Sequence, residues 1–265
     1  MQKGVVSRVF SKFMSEELSG YTGRREDVRF LSGRGRFTAD VVPVDTLHAV
    51  FVRSAIARGQ IRQIAVEAAR AAPNIVSVLT ADDTALDNIS NMVWTGSPVR
   101  DDGLTGFRSQ RPLLSGSVIR HLGEPICMIV GRTRQSAMDA AELINISYEA
   151  DEEVALTLGE LKGPLVWPES PDNIASLHVL GDKVAVKAAI DMSAHQVHLD
   201  FDISKVAACP IEMRSALGAI DKNGRLCLTT SAQSPFALLG ELADLFKLSK
   251  NQIRVLAPDV GGSFG

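Results

Sequence analysis

The sequence has few of the features that mark several classes of protein. Its three cysteines, Cys127, Cys209 and Cys227, are far apart and form no Cys-x-x-Cys pair, which argues against a zinc site or an iron–sulfur cluster in this chain. No apolar run approaches the roughly 20 residues that cross a bilayer. The net charge is only −3 and aromatic residues make up 5% of the chain, so nothing favours a nucleic-acid or anionic-membrane partner. An odd number of cysteines without a signal peptide suits a reducing, cytoplasmic compartment.

Familiar catalytic signatures are also missing. The sequence contains no Gly-x-Ser-x-Gly, no His-Glu-x-x-His and no phosphate-binding lysine after a glycine run. If the chain takes part in catalysis, a bound cofactor therefore carries the chemistry.

What is present is the composition of a globular protein. The 265 residues are 45% hydrophobic and 22% charged, which suits one large domain or two ordinary ones. Composition shifts at Asp151–Glu153, and two proline-containing turns follow. We expect a short amphipathic docking segment over residues 1–22, one domain over 23–150 and a second over 165–265.

Strand-like runs and short helices alternate in the first half. Thr80 and Thr133 are predicted to cap helices, the first with Asp82 and Asp83 in its first turn. Residues 126–130 predict a buried strand, with Cys127 as a core residue. Together with a helix to about 143 and a strand from 145 they predict a strand–helix–strand crossover unit.

The second half continues with strands and one longer helix. Apolar and polar residues alternate over 197–203, which predicts a half-buried strand. A strand over 225–230 is entered from the Asn223-Gly224 turn. Ser234 caps a helix that begins at Pro235 and runs to about Lys247. A last strand over 253–257 leads into Pro258.

Two places could face a ligand. Asp259 to Gly265 contains three glycines in five positions, and successive N–H groups in such a loop can form a nest for anions or oxo groups. An ordinary glycine-rich turn is the alternative. Gln233 lies between a strand end and a helix start, where its amide could donate to an oxo or phosphate group, or simply be a surface residue.

Four sequence blocks resemble the N-terminal part of the large, molybdenum-binding subunit of the molybdenum hydroxylases, the xanthine dehydrogenase and aldehyde oxidase family that includes aerobic carbon monoxide dehydrogenases. The blocks are Arg24–Asp40, Gly123-Glu124-Pro125 with Ala137–Tyr148, Pro210–Arg214, and Ser231–Gln233 with Asp259–Gly265. The resemblance implies an α+β fold: an α/β hammerhead domain followed by the first part of a mixed α/β molybdopterin-binding domain. Ser263 departs from the family's usual glycine, and Ile211 and Met213 alter the third block.

The resemblance also implies roles for particular residues. The position that matches Gln233 lies beside molybdenum, and the loop that matches Gly262, Ser263, Phe264 and Gly265 places backbone N–H groups against the cofactor. The family's general-base glutamate lies beyond this loop, so no catalytic residue is named here. Glu212 is not a candidate base; we expect it to contact Arg214 or the backbone.

The function implied is that of an oxidoreductase large subunit, in its N-terminal portion, which hydroxylates aldehydes or N-heterocycles or oxidises carbon monoxide with water as oxygen source. The implied cofactor is molybdopterin with molybdenum, in the cytosine dinucleotide form usual in bacteria. FAD and 2Fe-2S clusters belong to a medium and a small partner subunit, and another chain could supply the rest of the large subunit. The alternative is a truncated, non-catalytic remnant or interaction module, and in either case we expect the isolated chain to lack hydroxylase activity.

Overall fold

The computed structural model describes residues 23–94, 96, 98–154, 163–170, 172–204 and 206–264. The docking segment predicted for residues 1–22 lies outside these residues, as does Gly265. The chain divides into two compact units. The large unit comprises Asp45–Val206 with Glu241–Leu248, and the small unit comprises the described residues up to Val44, Ala207–Gly240 and the residues from Ser249 onward. These units cut the chain differently from the domains predicted at 23–150 and 165–265, which remain a prediction.

Helices and strands both contribute, in keeping with the predicted α+β class. The helices are α1 (Asp27–Leu31), α2 (Glu67–Arg70), α3 (Ala81–Leu86), α4 (Arg134–Ala141), α5 (Lys183–Asp191) and α6 (Pro235–Phe246). The strands are β1 (His48–Arg53), β2 (Gly59–Ala65), β3 (Ile75–Leu79), β4 (Met92–Val93), β5 (Gln110–Arg111), β6 (Val118–Ile119), β7 (Pro125–Gly131), β8 (Asn145–Ala150), β9 (Ala216–Ile220), β10 (Leu226–Thr230) and β11 (Ile253–Leu256). No helix in the described ranges is long and apolar enough to span a bilayer.

The core of the large unit lies around strand β7. This strand is central in an antiparallel sheet of order β1-β7-β3, and it supplies Ile126, Cys127 and Ile129, all fully buried. Ala137 and Ala140 of α4 pack onto the same cluster. Burial raises the pKa of the Cys127 thiol to about 11, as expected for a thiol held in apolar surroundings. The predicted buried strand and its core cysteine are confirmed.

The predicted crossover unit is wrong. Strand, helix and strand follow one another as expected, but β8 lies in a second sheet of order β6-β2-β8, apart from β7. All the pairings in both sheets are antiparallel. Sequence periodicity finds such elements but does not identify the sheet that each strand joins.

The predicted helix caps are confirmed. Asp83 accepts hydrogen bonds from the backbone N–H of Thr80 (2.7 Å) and from its hydroxyl (2.9 Å), and these bonds lower the pKa of Asp83. Thr133 and Ser136 form the reciprocal arrangement at the start of α4. The acidic pair Asp82-Asp83 therefore belongs to a helix start.

The strand predicted over 197–203 does not form within the described residues. Its apolar side chains are largely exposed: Val197 85%, Leu199 67%, Phe201 79% and Ile203 93%. A strand requires a hydrogen-bonded neighbour, and the described part of the chain does not supply one here. The neighbouring helix α5 also leaves Val184 80% exposed.

The small unit is built on a three-stranded sheet of order β11-β10-β9. Strands β9 and β10 form a hairpin through the predicted Asn223-Gly224 turn, where Gly224 has a φ of +76°. Strand β10 pairs in parallel with β11. The connection between these two strands begins with α6, which starts at Pro235 as predicted and is capped by the Ser234 hydroxyl (3.3 Å from the N–H of Ala237).

Candidate functional site

The two predicted ligand-facing segments leave the same edge of the small unit's sheet. Strands β10 and β11 are parallel neighbours, with Thr229 opposite Leu256. Gln233 follows the carboxyl end of β10, and Gly262–Phe264 follow the carboxyl end of β11. The carboxyl edge of parallel strands is the usual place for a ligand in α/β structures. Topology therefore brings together the segments that the sequence analysis had singled out.

Gln233 is exposed at this edge, between the end of β10 and the cap of α6. Its carboxamide has no hydrogen-bond partner among the residues that the structure describes. The amide carries two donors and one acceptor, all of which remain available to a ligand.

The glycine loop, Asp259 to Phe264, packs closely against the block Pro210–Glu212. A Cβ added to Gly261 would lie 2.3 Å from the Cβ of Glu212, which no side chain could accommodate. Gly262 has a φ of +140°, and a Cβ there would lie 2.7 Å from the Cβ of Pro210. Both glycines are thus required by backbone geometry and close packing. This fit distinguishes the glycine loop from an ordinary surface turn.

Three successive backbone donors of the glycine loop have no partner among the described residues. Within the described ranges, the N–H groups of Gly262, Ser263 and Phe264 meet no acceptor at hydrogen-bond distance. The side chains of Ser263 and Phe264 are exposed, Phe264 by 69%. Gly265, predicted to belong to the same set, lies outside the described residues.

The start of the glycine loop is held by an ion pair. Both terminal guanidinium nitrogens of Arg29 donate to the carboxylate of Asp259, which also accepts the backbone N–H of Arg36 at 2.6 Å. The Asp259 N–H in turn donates to the carbonyl of Arg36 at 3.0 Å. The hydrogen bonds from Arg29, and then that from Arg36, lower the pKa of Asp259. The carboxylate therefore stays ionised at neutral pH.

The carboxylate of Glu212 holds the glycine loop at Gly261, two residues after Asp259. Its Oε2 accepts the N–H of Gly261 at 2.7 Å, and its Oε1 accepts the N–H of Thr38 at 3.3 Å. The buried hydroxyls of Thr38 and Ser231 make no well-formed hydrogen bond among the described residues, yet both lie close enough to lower the pKa of Glu212. Burial raises the pKa of Glu212, but these interactions together outweigh it and the pKa lies below its usual range.

Of the two partners expected for Glu212, the backbone is the one observed, while Arg214 is exposed. The ion pair of Arg29 with Asp259 was not anticipated. Arg29 lies in the first sequence block and Asp259 in the last, so both belong to segments that the resemblance had marked. Nothing in the sequence pattern, however, indicates that the two side chains meet.

The donor set at this edge fits a group rich in oxo and phosphate oxygens. Three free backbone N–H groups and one free carboxamide are all hydrogen-bond donors, and the loop that carries them is ordered by two ionised carboxylates behind it. The described residues contain no group of three or more His, Cys, Asp or Glu side chains able to hold a metal ion.

Comparison with protein families identifies two matches. Residues 32–152 match the family described as "Aldehyde oxidase and xanthine dehydrogenase, a/b hammerhead domain". Residues 166–265 match "Molybdopterin cofactor-binding domain".

Curated relatives and solved structures point the same way. The chain is 30% identical to the nicotine 6-hydroxylase large subunit of Paenarthrobacter nicotinovorans over 91% of its own length and 29% of that protein. It is 28% identical to the carbon monoxide dehydrogenase large chain of Afipia carboxidovorans over 95% of its length and 32% of that chain. Its fold is similar to quinoline 2-oxidoreductase from Pseudomonas putida 86, with a TM-score of 0.77, 33% identity and coverage of 91% and 30% of the two chains. The chain thus spans about 30% of the length of these relatives.

Proposed function

Because the chain belongs to the xanthine dehydrogenase and aldehyde oxidase family of molybdenum hydroxylase large subunits, we propose that it forms the N-terminal portion of such a subunit and one wall of its molybdenum site. Gln233 and the loop Gly262, Ser263, Phe264 and Gly265 are the proposed cofactor contacts. The reaction class is hydroxylation of an aldehyde or N-heterocycle, or oxidation of carbon monoxide, with oxygen from water.

One observation carries this proposal. Gln233 and the three free N–H groups of Gly262–Phe264 follow adjacent parallel strands at the same sheet edge. Donors gathered in this way suit a ligand with several acceptor oxygens.

The residues of the chain have distinct tasks in this proposal. The bound molybdenum group supplies the redox chemistry. Gln233 would offer its amide as a donor to the group, and the backbone of Gly262–Phe264 would hold it through its N–H groups. Asp259 is held by Arg29 and the Arg36 N–H, and Glu212 by the N–H groups of Thr38 and Gly261, so we assign neither as the general base. That base is expected in a part of the large subunit outside these residues.

The proposed complex contains more than this chain. We propose that molybdopterin is present as the cytosine dinucleotide and that FAD and 2Fe-2S clusters sit on a medium and a small partner subunit. The exposed apolar side chains of Val197, Leu199, Phe201 and Ile203 support a further partner. Such alternation suits a strand whose neighbour comes from the remaining 70% or so of the large subunit, given the 30% that this chain spans.

The proposal can be tested by replacing Gln233 in a complete large subunit that contains these residues, assembled with its partner subunits. Gln233→Ala should lower turnover of an aldehyde, N-heterocycle or carbon monoxide by about 10²-fold, the effect typical of removing one oriented donor. Molybdenum content, measured by mass spectrometry, should fall or stay unchanged according to how much binding the amide contributes.

Gln63→Ala is the matched control, because Gln63 is exposed on β2 of the large unit. It should leave both turnover and molybdenum content at the level of the unmodified enzyme. The proposal for Gln233 fails if Gln233→Ala changes neither quantity.

A further inference from the structure

Glu212 binds the backbone of two segments of the small unit, one of which carries proposed cofactor contacts. Its carboxylate binds the N–H of Gly261, directly before the free donors of Gly262–Phe264. A second contact reaches the N–H of Thr38, in the segment that also contributes Arg36 to the start of the glycine loop.

The two oxygens of Glu212 are used separately. Oε1 faces Thr38 and Oε2 faces Gly261, so a single carboxylate bridges two backbone segments that lie 174 and 49 positions away from it. The two backbones run close together, since a Cβ added to Gly261 would lie 3.3 Å from the backbone nitrogen of Glu212. The bridge uses two acceptors on one side chain.

We propose that Glu212 is a positioning residue that fixes the glycine loop against the Thr38 segment, and so sets the place of the backbone donors that face the cofactor. The effect of this role on the cofactor rests on the proposed function. The bridge that Glu212 makes between the two segments is present in the chain without any cofactor.

Glutamine is the informative replacement at this position. It keeps the size of the side chain but has one acceptor oxygen, so its NH₂ group must oppose either the Thr38 or the Gly261 N–H. A charged acceptor is also replaced by a neutral one, which weakens the remaining bond. Both effects act on the loop backbone and leave the Gln233 side chain chemically unchanged.

The experiment is hydrogen–deuterium exchange on the 265-residue chain, with peptides that cover residues 36–41 and 257–264. In Glu212→Gln we expect exchange to accelerate at least about tenfold in both segments. Glu241→Gln, the same change at an exposed position of α6, should leave both segments unchanged. Glu212→Asp, which keeps the charge but shortens the side chain by one methylene, should accelerate exchange in at least one of the two segments and provides the test should Glu212→Gln not fold.

A second measurement separates the positioning role of Glu212 from the proposed function. In the assembled enzyme, Glu212→Gln should alter the electron paramagnetic resonance signal of Mo(V), because displaced donors change the surroundings of the metal. Unchanged exchange in either segment, or an unchanged signal despite faster exchange, would overturn the positioning role. Failure of the proposed function would instead appear as a complete enzyme in which Gln233→Ala has no effect while exchange still responds to Glu212→Gln.

Discussion

The carboxylate of Asp259 accepts hydrogen bonds from both terminal nitrogens of Arg29, which lies 230 positions earlier in the chain. The same carboxylate accepts the backbone N–H of Arg36. Asp259 thus joins the segment around α1 to the start of the glycine loop. Its charge is partly shielded from water, since the Asp259 side chain is 11% exposed and that of Arg29 is 40% exposed.

The first prediction concerns this ion pair. Asp259→Ala should destabilise the small unit more than Arg29→Ala, because it also leaves the Arg36 N–H without its acceptor. The double variant should be less destabilised than the sum of the two single variants. Urea unfolding of the four proteins measures the coupling. The exposed pair Arg62–Glu149 of the large unit is the control, with an expected coupling of about 0.2–1 kcal/mol. Additive effects of Arg29→Ala and Asp259→Ala would contradict the prediction.

The second prediction is a pH dependence. The pKa values of Asp259 and Glu212 are both lower in the folded protein than in an unfolded chain, where they are about 3.9 and 4.3. Their contribution to stability is therefore complete above those unfolded values and is lost as pH falls through the folded ones. The stability difference between the unmodified chain and Asp259→Asn should be constant from pH 7 to about pH 5 and should shrink below about pH 4. A difference that grows toward acid would show that the sign is wrong.

The third prediction uses the packing of the glycine loop. Gly261→Ala places a methyl group 2.3 Å from the Cβ of Glu212, so the loop must move and the complete enzyme should lose most of its molybdenum. Gly240→Ala, in α6, has no heavy atom within 4 Å of the new methyl group and should stabilise the helix by about 0.5–1 kcal/mol. Metal analysis and thermal unfolding of the two variants are the measurements. Normal molybdenum content in Gly261→Ala would show that the loop tolerates displacement.

The fourth prediction separates two cysteines by reactivity. Cys127 is fully buried and its thiol pKa is raised to about 11, so it should not react with iodoacetamide at pH 8 in the native chain. Cys209 is exposed and should be alkylated under the same conditions. Peptide mass spectrometry identifies the modified residue, and both should react in denaturant. Native labelling of Cys127 at the rate of Cys209 would show that the β7 core opens readily.

The fifth prediction is that the isolated chain does not turn over an aldehyde or a purine. The proposed cofactor contacts occupy one wall of a site, and the chain spans about 30% of its relatives. Activity should appear when the polypeptide that corresponds to the remainder of the large subunit is expressed with it. Turnover by the 265-residue chain alone would contradict this prediction. Failure to regain activity with that polypeptide would favour the alternative of a non-catalytic interaction module.

Local features of the fold could be predicted from sequence because neighbouring residues determine them. The caps at Thr80, Thr133 and Ser234 and the turn at Gly224 all depend on residues within a few positions. Pairings between distant segments could not be predicted. The strand at 145–150 was expected, but the sheet that it joins was not, because hydrophobic periodicity does not indicate which strands pair.

The candidate site shows the same division. Gln233 and the glycine loop could be identified because their residue types and their positions after strands are visible in the sequence. The residues that hold the loop were harder to predict from sequence, since Arg29, Thr38 and Glu212 act through hydrogen bonds that span from 49 to 230 positions. Alternation over 197–203 predicted a strand whose neighbour is absent from the described chain.

The long span between Arg29 and Asp259 has a consequence for the order of events during synthesis. The large unit is nearly continuous in sequence, from Asp45 to Val206, and its core can form while the ribosome is still adding later residues. The segment around α1 emerges first but finds its partners only after Asp259 and Glu212 have been made. The small unit therefore closes after the core of the large unit, and its formation is slowed by the wide loop that must be brought together. A cofactor that binds at this edge would meet a wall that is completed only after Asp259 has been made.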